Sequence, residues 1–149
     1  MAGHALSNHF TAFFRNLNPG SSFISRAASE HATVTHLIES AGGEAGQLAP
    51  HCFLQGSYRQ ETAIYTINDV DIVVLCRLWQ PVSGGGGNGG SGRAWDRDRI
   101  FTAIATPLLA DGRYRGKVRF GPTSMCIKVD LGIKLEILPV VYKSGNDEQ

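Results

Sequence analysis

The 149-residue sequence lacks a strong charge of either sign, a cysteine framework and any long apolar run. Lys and Arg total 14 against 13 Asp and Glu, so a net charge of +1 provides no general attraction to nucleic acid or to an anionic membrane. Any phosphate binding must therefore be local. Cys52, Cys76 and Cys126 are odd in number, far apart and set in apolar runs, which points to buried thiols rather than a disulfide framework or a zinc knuckle. No stretch approaches the ~20 apolar residues of a membrane span, and "MAGHALSNHFTAFFRNL" has no uninterrupted apolar centre of a secretory leader. No membrane contact and a reducing cytoplasm are expected. Internal repeats are absent too.

The composition is globular, with 42% apolar and 18% charged residues. The length suits one core better than two, so a single domain over 1–149 is expected. Leu6, Phe10, Phe13, Phe14 and Leu17 recur at helical spacing before "NPGSS" stops them. A longer second helix is predicted from a Ser21 or Ser22 cap, with Phe23, Ile24, Ala27, His31, Val34, Leu37 and Ile38 as its apolar stripe, ending at Gly42-Gly43. His31 is read as a packing histidine.

"CFLQ" and "VDIVVLC" read as strands, the second apolar enough to lie mid-sheet with both faces covered. "SGGGGNGGSG", Ser83 to Gly92, has nothing to bury and is expected to be a flexible loop. A helix over roughly 95–110 follows, with Pro107 able to shorten or kink it. "KVRF", "SMCIKVD" and "IKLEILPVVY" read as strands, the last two joined as a hairpin at Leu131-Gly132, and the tail "KSGNDEQ" is expected to fray. Strands flanked by helices in this order imply a two-layer α/β domain.

The chemistry gathers around "GSYRQETAIYTINDVDIVVL". Asp69 and Asp71 stand two residues apart at the mouth of an apolar strand, so their carboxylates share one side of the sheet. Two adjacent negative charges repel unless a cation neutralises them, and magnesium is the natural oxygen-seeking candidate. The plainer account is a pair of aspartates ending a strand, with "IND" as a turn. Gly56 can bring backbone close to a ligand, and Ser57 with neighbouring N–H groups can donate to phosphate oxygens. Glu136, alone among apolar neighbours in "IKLEILP", is the best third acid for a two-metal site; a solvent-facing pair with Lys134 or Lys128 on an edge strand is its alternative. Asp130 competes for the role but sits in the hairpin turn, where aspartate is expected anyway.

The glycine run matches G-x-G-x-x-G formally, yet it is too long for a tight dinucleotide-binding turn and no Lys-Ser/Thr follows to make a P-loop. Arg113, Arg115, Lys117 and Arg119 alternate with other residues, so an extended segment there would show four cations on one face. A charge-protected strand edge is the simpler account, and a triphosphate or oligonucleotide acceptor the other.

"GSY", then Thr62, then "DVDIVVL" resembles the hG[GS] and D-x-D signature of the DNA polymerase β-like nucleotidyltransferases. Within them it is similar to the oligoadenylate synthetase and bacterial CD-NTase branch, which makes cyclic or linear oligonucleotide messengers. "FTAFFRNLN", the long second helix and "IKLEILPVV" extend the likeness over most of the chain. The resemblance implies an α+β, two-layer domain with a mixed sheet of about five strands flanked by helices. It also implies that Asp69 and Asp71 hold Mg2+ (or Mn2+) on a nucleoside triphosphate while Gly56 and Ser57 grip its distal phosphates. Glu136, with Asp69 or Asp71, would hold a second metal and help activate an acceptor hydroxyl that displaces pyrophosphate. The third acid is usually aspartate in that branch and is Glu136 here. Relatives of this kind carry a C-terminal helical domain, so the chain is expected to be a catalytic core completed by such a domain or by a partner. Nucleotide transfer to RNA or protein, a non-catalytic nucleotide-binding module and an inactive fragment are the other readings.

Overall fold

A computed structural model describes residues 9–13, 20–56, 69–77 and 95–142. Ser57, Thr62, the glycine run at 83–92 and the tail at 143–149 lie outside the described residues. Residues 9–13 are helical, with Phe10 and Phe13 both exposed.

Helix α1 (Ser21–Glu39) buries Ala27, Val34 and Ile38, the 3.6-residue stripe that the sequence shows. Its cap differs from the expectation. Gly20 is the N-cap, with no side-chain bond, and its carbonyl accepts from Phe23 N at 2.9 Å. Helix α1 ends at Ser40, whose hydroxyl donates to His36 O at 2.6 Å, before the paired glycines are reached. Gly43 then takes φ +60° and opens a short helix, α2 (Gly43–Gln47), that the sequence did not announce.

Strands β1 (Pro50–Gln55) and β2 (Asp69–Cys76) follow, then helix α3 (Arg97–Ala110). Asp96 caps α3 by accepting from Arg99 N at 2.8 Å, and Arg99 pairs with Glu44 of α2 at 2.8 Å. Pro107 neither shortens nor ends α3, because its buried neighbours Ile104 and Leu108 hold the last turn against the sheet. Strands β3 (Val118–Arg119), β4 (Ile127–Asp130) and β5 (Lys134–Val141) complete the chain.

The five strands run in the order β1-β2-β5-β4-β3. Among the described residues only β2 and β5 pair in parallel, and α3 lies in the chain between them, as a parallel pair requires a long crossover. β4 and β5 form the antiparallel hairpin, with Gly132 at φ +79° in its turn. One sheet face packs on the helices through Val70, Ile72, Val74, Leu135, Ile137 and Ile127, all essentially inaccessible. The other face is the more open among the described residues, with Asp69 exposed and Asp71 and Leu75 half-buried, although Val73 on it is buried. β5, an edge strand only in the alternative reading of Glu136, is interior. The extended basic segment is also corrected: residues 111–117 are turns, β3 has two residues, and Arg113 is bound back onto Asp111 at 2.7 Å. The three cysteines are buried and free. Among the described residues no helix is long and apolar enough to cross a membrane.

Candidate active site

Alternation decides which residues reach the open face. In β2 the even positions Val70, Ile72 and Val74 enter the core, which turns Asp69 and Asp71 outward; in β5 Leu135 and Ile137 enter it, which turns Glu136 outward. Register then aligns them. Gln55 pairs with Asp71, Asp71 with Glu136, Glu136 with Lys128, and Lys128 with Arg119. Directly paired residues project to the same side, so one polar row crosses all five strands. A second row beside it runs Asp69, Lys134 and Asp130.

The row separates two cavities on the open face. One, of about 410 Å3, is lined by Gly56, Asp71, Glu136, Cys126, Met125 and Leu138 among others. The other, of about 340 Å3, holds Asp69, Lys117, Arg119, Lys128, Lys134 and Glu136 in its wall. Glu136 belongs to both.

Gly56 ends β1 at φ +79°, a left-handed conformation that side chains disfavour. A Cβ there would stand 2.1 Å from Asp71 Oδ2. The bare α-carbon is therefore what lets the bend lie against the carboxylate. Partial burial pushes the Asp71 carboxyl above its usual range, and the charges of Glu136 and Asp69 push it further. Asp71 thus feels both neighbours as like charges.

Glu136 also has a cationic partner: Lys128 Nζ lies 3.1 Å from its Oε1, and this contact raises the Lys128 pKa. The alternative anticipated for Glu136 is thus present in part, with Lys128 rather than Lys134. Among the described residues no three His, Cys, Asp or Glu side chains converge as a ready metal cage. The donor chemistry nevertheless fits a hard divalent cation: three carboxylates share one face, and Asp71 is held at a charge cost that a cation relieves. Asp130 Oδ1 accepts from Gly132 N at 3.1 Å, the turn role expected of it.

Sequence reasoning missed Gln55 and Cys126 as neighbours of the acids, and named Lys128 only as one of two possible partners of Glu136. Three residues, Leu131 to Ile133, separate the paired Asp130 and Lys134, and this sets Lys128 opposite Glu136, where the two-residue turn expected at Leu131-Gly132 would have set it opposite Leu135.

Comparison with known proteins agrees with this architecture. A search of curated proteins gives no match. Among solved structures, the chain resembles the E. coli MS115-1 CdnC:HORMA-deltaN complex at TM-score 0.60 and 16% identity, covering 89% of this chain and 40% of that one. It resembles the Rhodothermus marinus CdnE c-UMP-AMP synthase with Apcpp and Upnpp at TM-score 0.55 and 16% identity, with 88% and 46% covered. The Bradyrhizobium diazoefficiens CD-NTase CdnG in complex with GTP gives 0.56 and 17%, with 89% and 35% covered. The chain spans less than half the length of each of these, and the likeness is one of fold. Residues 5–85, more than half of the chain, match the Second Messenger Oligonucleotide or Dinucleotide Synthetase domain, and the chain belongs to that family, whose fold is that of the polymerase β-like nucleotidyltransferases.

Proposed function

We propose that the chain is the catalytic portion of a metal-dependent nucleotidyltransferase that joins nucleoside triphosphates into an oligonucleotide messenger and releases pyrophosphate. The observation that carries this is the alignment of Asp71 and Glu136 across adjacent parallel strands, with Asp69 on the same face and Gly56 against Asp71. The family match and solved neighbours with ATP, with GTP, or with the two nucleotide analogues Apcpp and Upnpp support it.

Asp69, Asp71 and Glu136 would hold Mg2+ or Mn2+, which when bound supplies neutralisation of charge on the entering and leaving oxygens. Gly56 admits the triphosphate close to the backbone, with Ser57 as a donor to its oxygens. Glu136 orients the acceptor hydroxyl toward the α-phosphorus, whose bond to pyrophosphate breaks as the new ester forms. Rigid strands fix these groups, so positioning contributes much of the rate. The reaction requires two nucleotides side by side, one attacked and one attacking.

The test is incubation with the four α-labelled nucleoside triphosphates and Mg2+ or Mn2+. A nuclease-sensitive small oligonucleotide and pyrophosphate are expected, and Asp69→Ala with Asp71→Ala should lower the rate by at least about a hundredfold. Full turnover by the double variant overturns the assignment. The Lys128–Glu136 ion pair favours a second reading, a nucleotide-binding module without catalysis, which predicts metal-dependent ATP binding by calorimetry and no pyrophosphate.

A further inference from the structure

We propose that the outer edge of β1 is a strand-pairing surface for a second copy of this chain, and that the Glu39 carboxylate holds it shut. The inference does not depend on the nucleotidyltransferase reading.

β1 stands first in the strand order, so among the described residues no strand lies on its outer side. A free edge presents N–H and C=O groups that another chain can pair with. Cys52 N donates to Glu39 Oε1 at 2.7 Å, and so points away from β2. Backbone groups of successive residues in an antiparallel ladder turn alternately to the two sides. Those of Pro50 and Leu54 therefore face outward with Cys52, while His51 and Phe53 bond to Leu75 and Val73 of β2. Pro50 has no N–H to offer, which makes Cys52 N the first donor on the edge. Glu39 occupies it. Local preference does not put an acid there, because Glu39 is the last residue of α1, where the helix dipole disfavours negative charge. Two groups of β1 hold the carboxylate instead: Cys52 N, and His51 Nδ1 at 3.1 Å from the same oxygen.

The edge is complementary to itself, which identifies the occupant. His51, Phe53 and Gln55 stand on the open face, and Phe53 is 41% exposed. A two-fold axis through Phe53 sets Cys52 of each copy opposite Leu54 of the other, so the outward groups of both residues meet as hydrogen-bonded pairs on either side of the axis. The two Phe53 side chains then fall in the closer, non-hydrogen-bonded position, where an aromatic pair is favourable. His51 of each copy faces Gln55 of the other, and no like charges are opposed. Half of the hydrogen bonds in this pairing use Cys52 N. An interface of one short strand from each copy is small, so the loss of that donor to Glu39 is enough to prevent it.

Sedimentation equilibrium over a concentration series, on the 149-residue chain and its Glu39→Ala variant, tests this. The parent is expected to remain monomeric where Glu39→Ala dimerises, with self-association at least about tenfold tighter in the variant. Glu39→Gln keeps a side-chain carbonyl as acceptor and should lie nearer the parent. Adding Phe53→Lys to Glu39→Ala places two like charges at the axis and should return the monomer. Amide exchange follows the edge directly. The Cys52 amide should exchange slowly in the parent at every concentration, quickly in dilute Glu39→Ala, and slowly again as that variant is concentrated. The amides of Val74 and Ile137, on interior strands, should stay protected throughout, which separates pairing from unfolding. A Glu39→Ala chain that stays monomeric, a parent already paired through β1, association undiminished by Phe53→Lys, or association accompanied by faster exchange at Val74 and Ile137 would each overturn the proposal.

Discussion

Gly56 has two reasons to be glycine that act through different atoms. Its φ of +79° disfavours any Cβ by roughly 1–2 kcal/mol, and the Cβ would also meet Asp71 Oδ2 at 2.1 Å. Gly56→Ala is therefore expected to lower the denaturant midpoint, and Asp71→Ala in the same chain to restore only the part due to the clash. A double-mutant cycle measures that coupling, and additive effects would contradict it. Asp71 itself carries a pH signature. Its folded pKa is raised by burial and by Glu136 and Asp69, so its contribution to stability is intact below the ordinary carboxylate range and is lost as pH rises through the raised value. In EDTA, Asp71→Asn should thus melt a few degrees higher than the parent at neutral pH, with the gain vanishing toward about pH 4. A variant that is less stable at pH 7 would mean that the carboxylate is favourably paired instead. At this scale the acids were legible, because alternation with Val70, Ile72, Leu135 and Ile137 is a local property. The ion pair of Glu136 with Lys128 was not, since alternative partners on two strands were equally open until register was fixed.

At the scale of elements, helix α3 shows packing overriding local preference. Pro107 removes one backbone donor and crowds the preceding turn, yet the helix runs on to Ala110 because Ile104 and Leu108 are sealed against the sheet. Pro107→Ala restores that donor and should stabilise the chain by about 1 kcal/mol or more, a fraction of the ~3 kcal/mol that separates the two residues in a free helix interior. Thermal unfolding checks this; a lower Tm would show that the proline ring contributes packing of greater value. The strands and the hairpin at Gly132 were readable from β-branched alternation and turn residues. The boundaries of α1 were less so. Gly20 caps its start although two serines follow, and its end precedes the glycine pair, because a cap depends on backbone angles that composition alone does not set.

For the whole molecule, the sheet is asymmetric: one face is sealed by helices and the other carries a polar end beside exposed Phe53, Leu138 and Met125. Two of the thiols, Cys52 and Cys76, lie on the sealed side, and Cys126 borders the open one. Burial pushes Cys52 up to about 12, with Glu39 and Cys76 adding to it, and pushes Cys76 up to about 11; burial and then Glu136 raise Cys126. All three should react slowly with a disulfide reagent at about pH 8 in the folded chain and promptly in denaturant. Fast reaction of any of them would place it at the surface.

The sequence by itself determined the class of fold, the strand alternation that turns Asp69, Asp71 and Glu136 away from the core, and the glycine at the close of β1. These are short-range consequences of side-chain size and periodicity. Tertiary structure alone decided that β2 and β5 are parallel neighbours with Asp71 opposite Glu136, and that Lys128 and Lys134 join Lys117 and Arg119 in one cavity. Register between distant strands is selected by how α1 and α3 bury the whole apolar face at once, and no window of local sequence contains that sum.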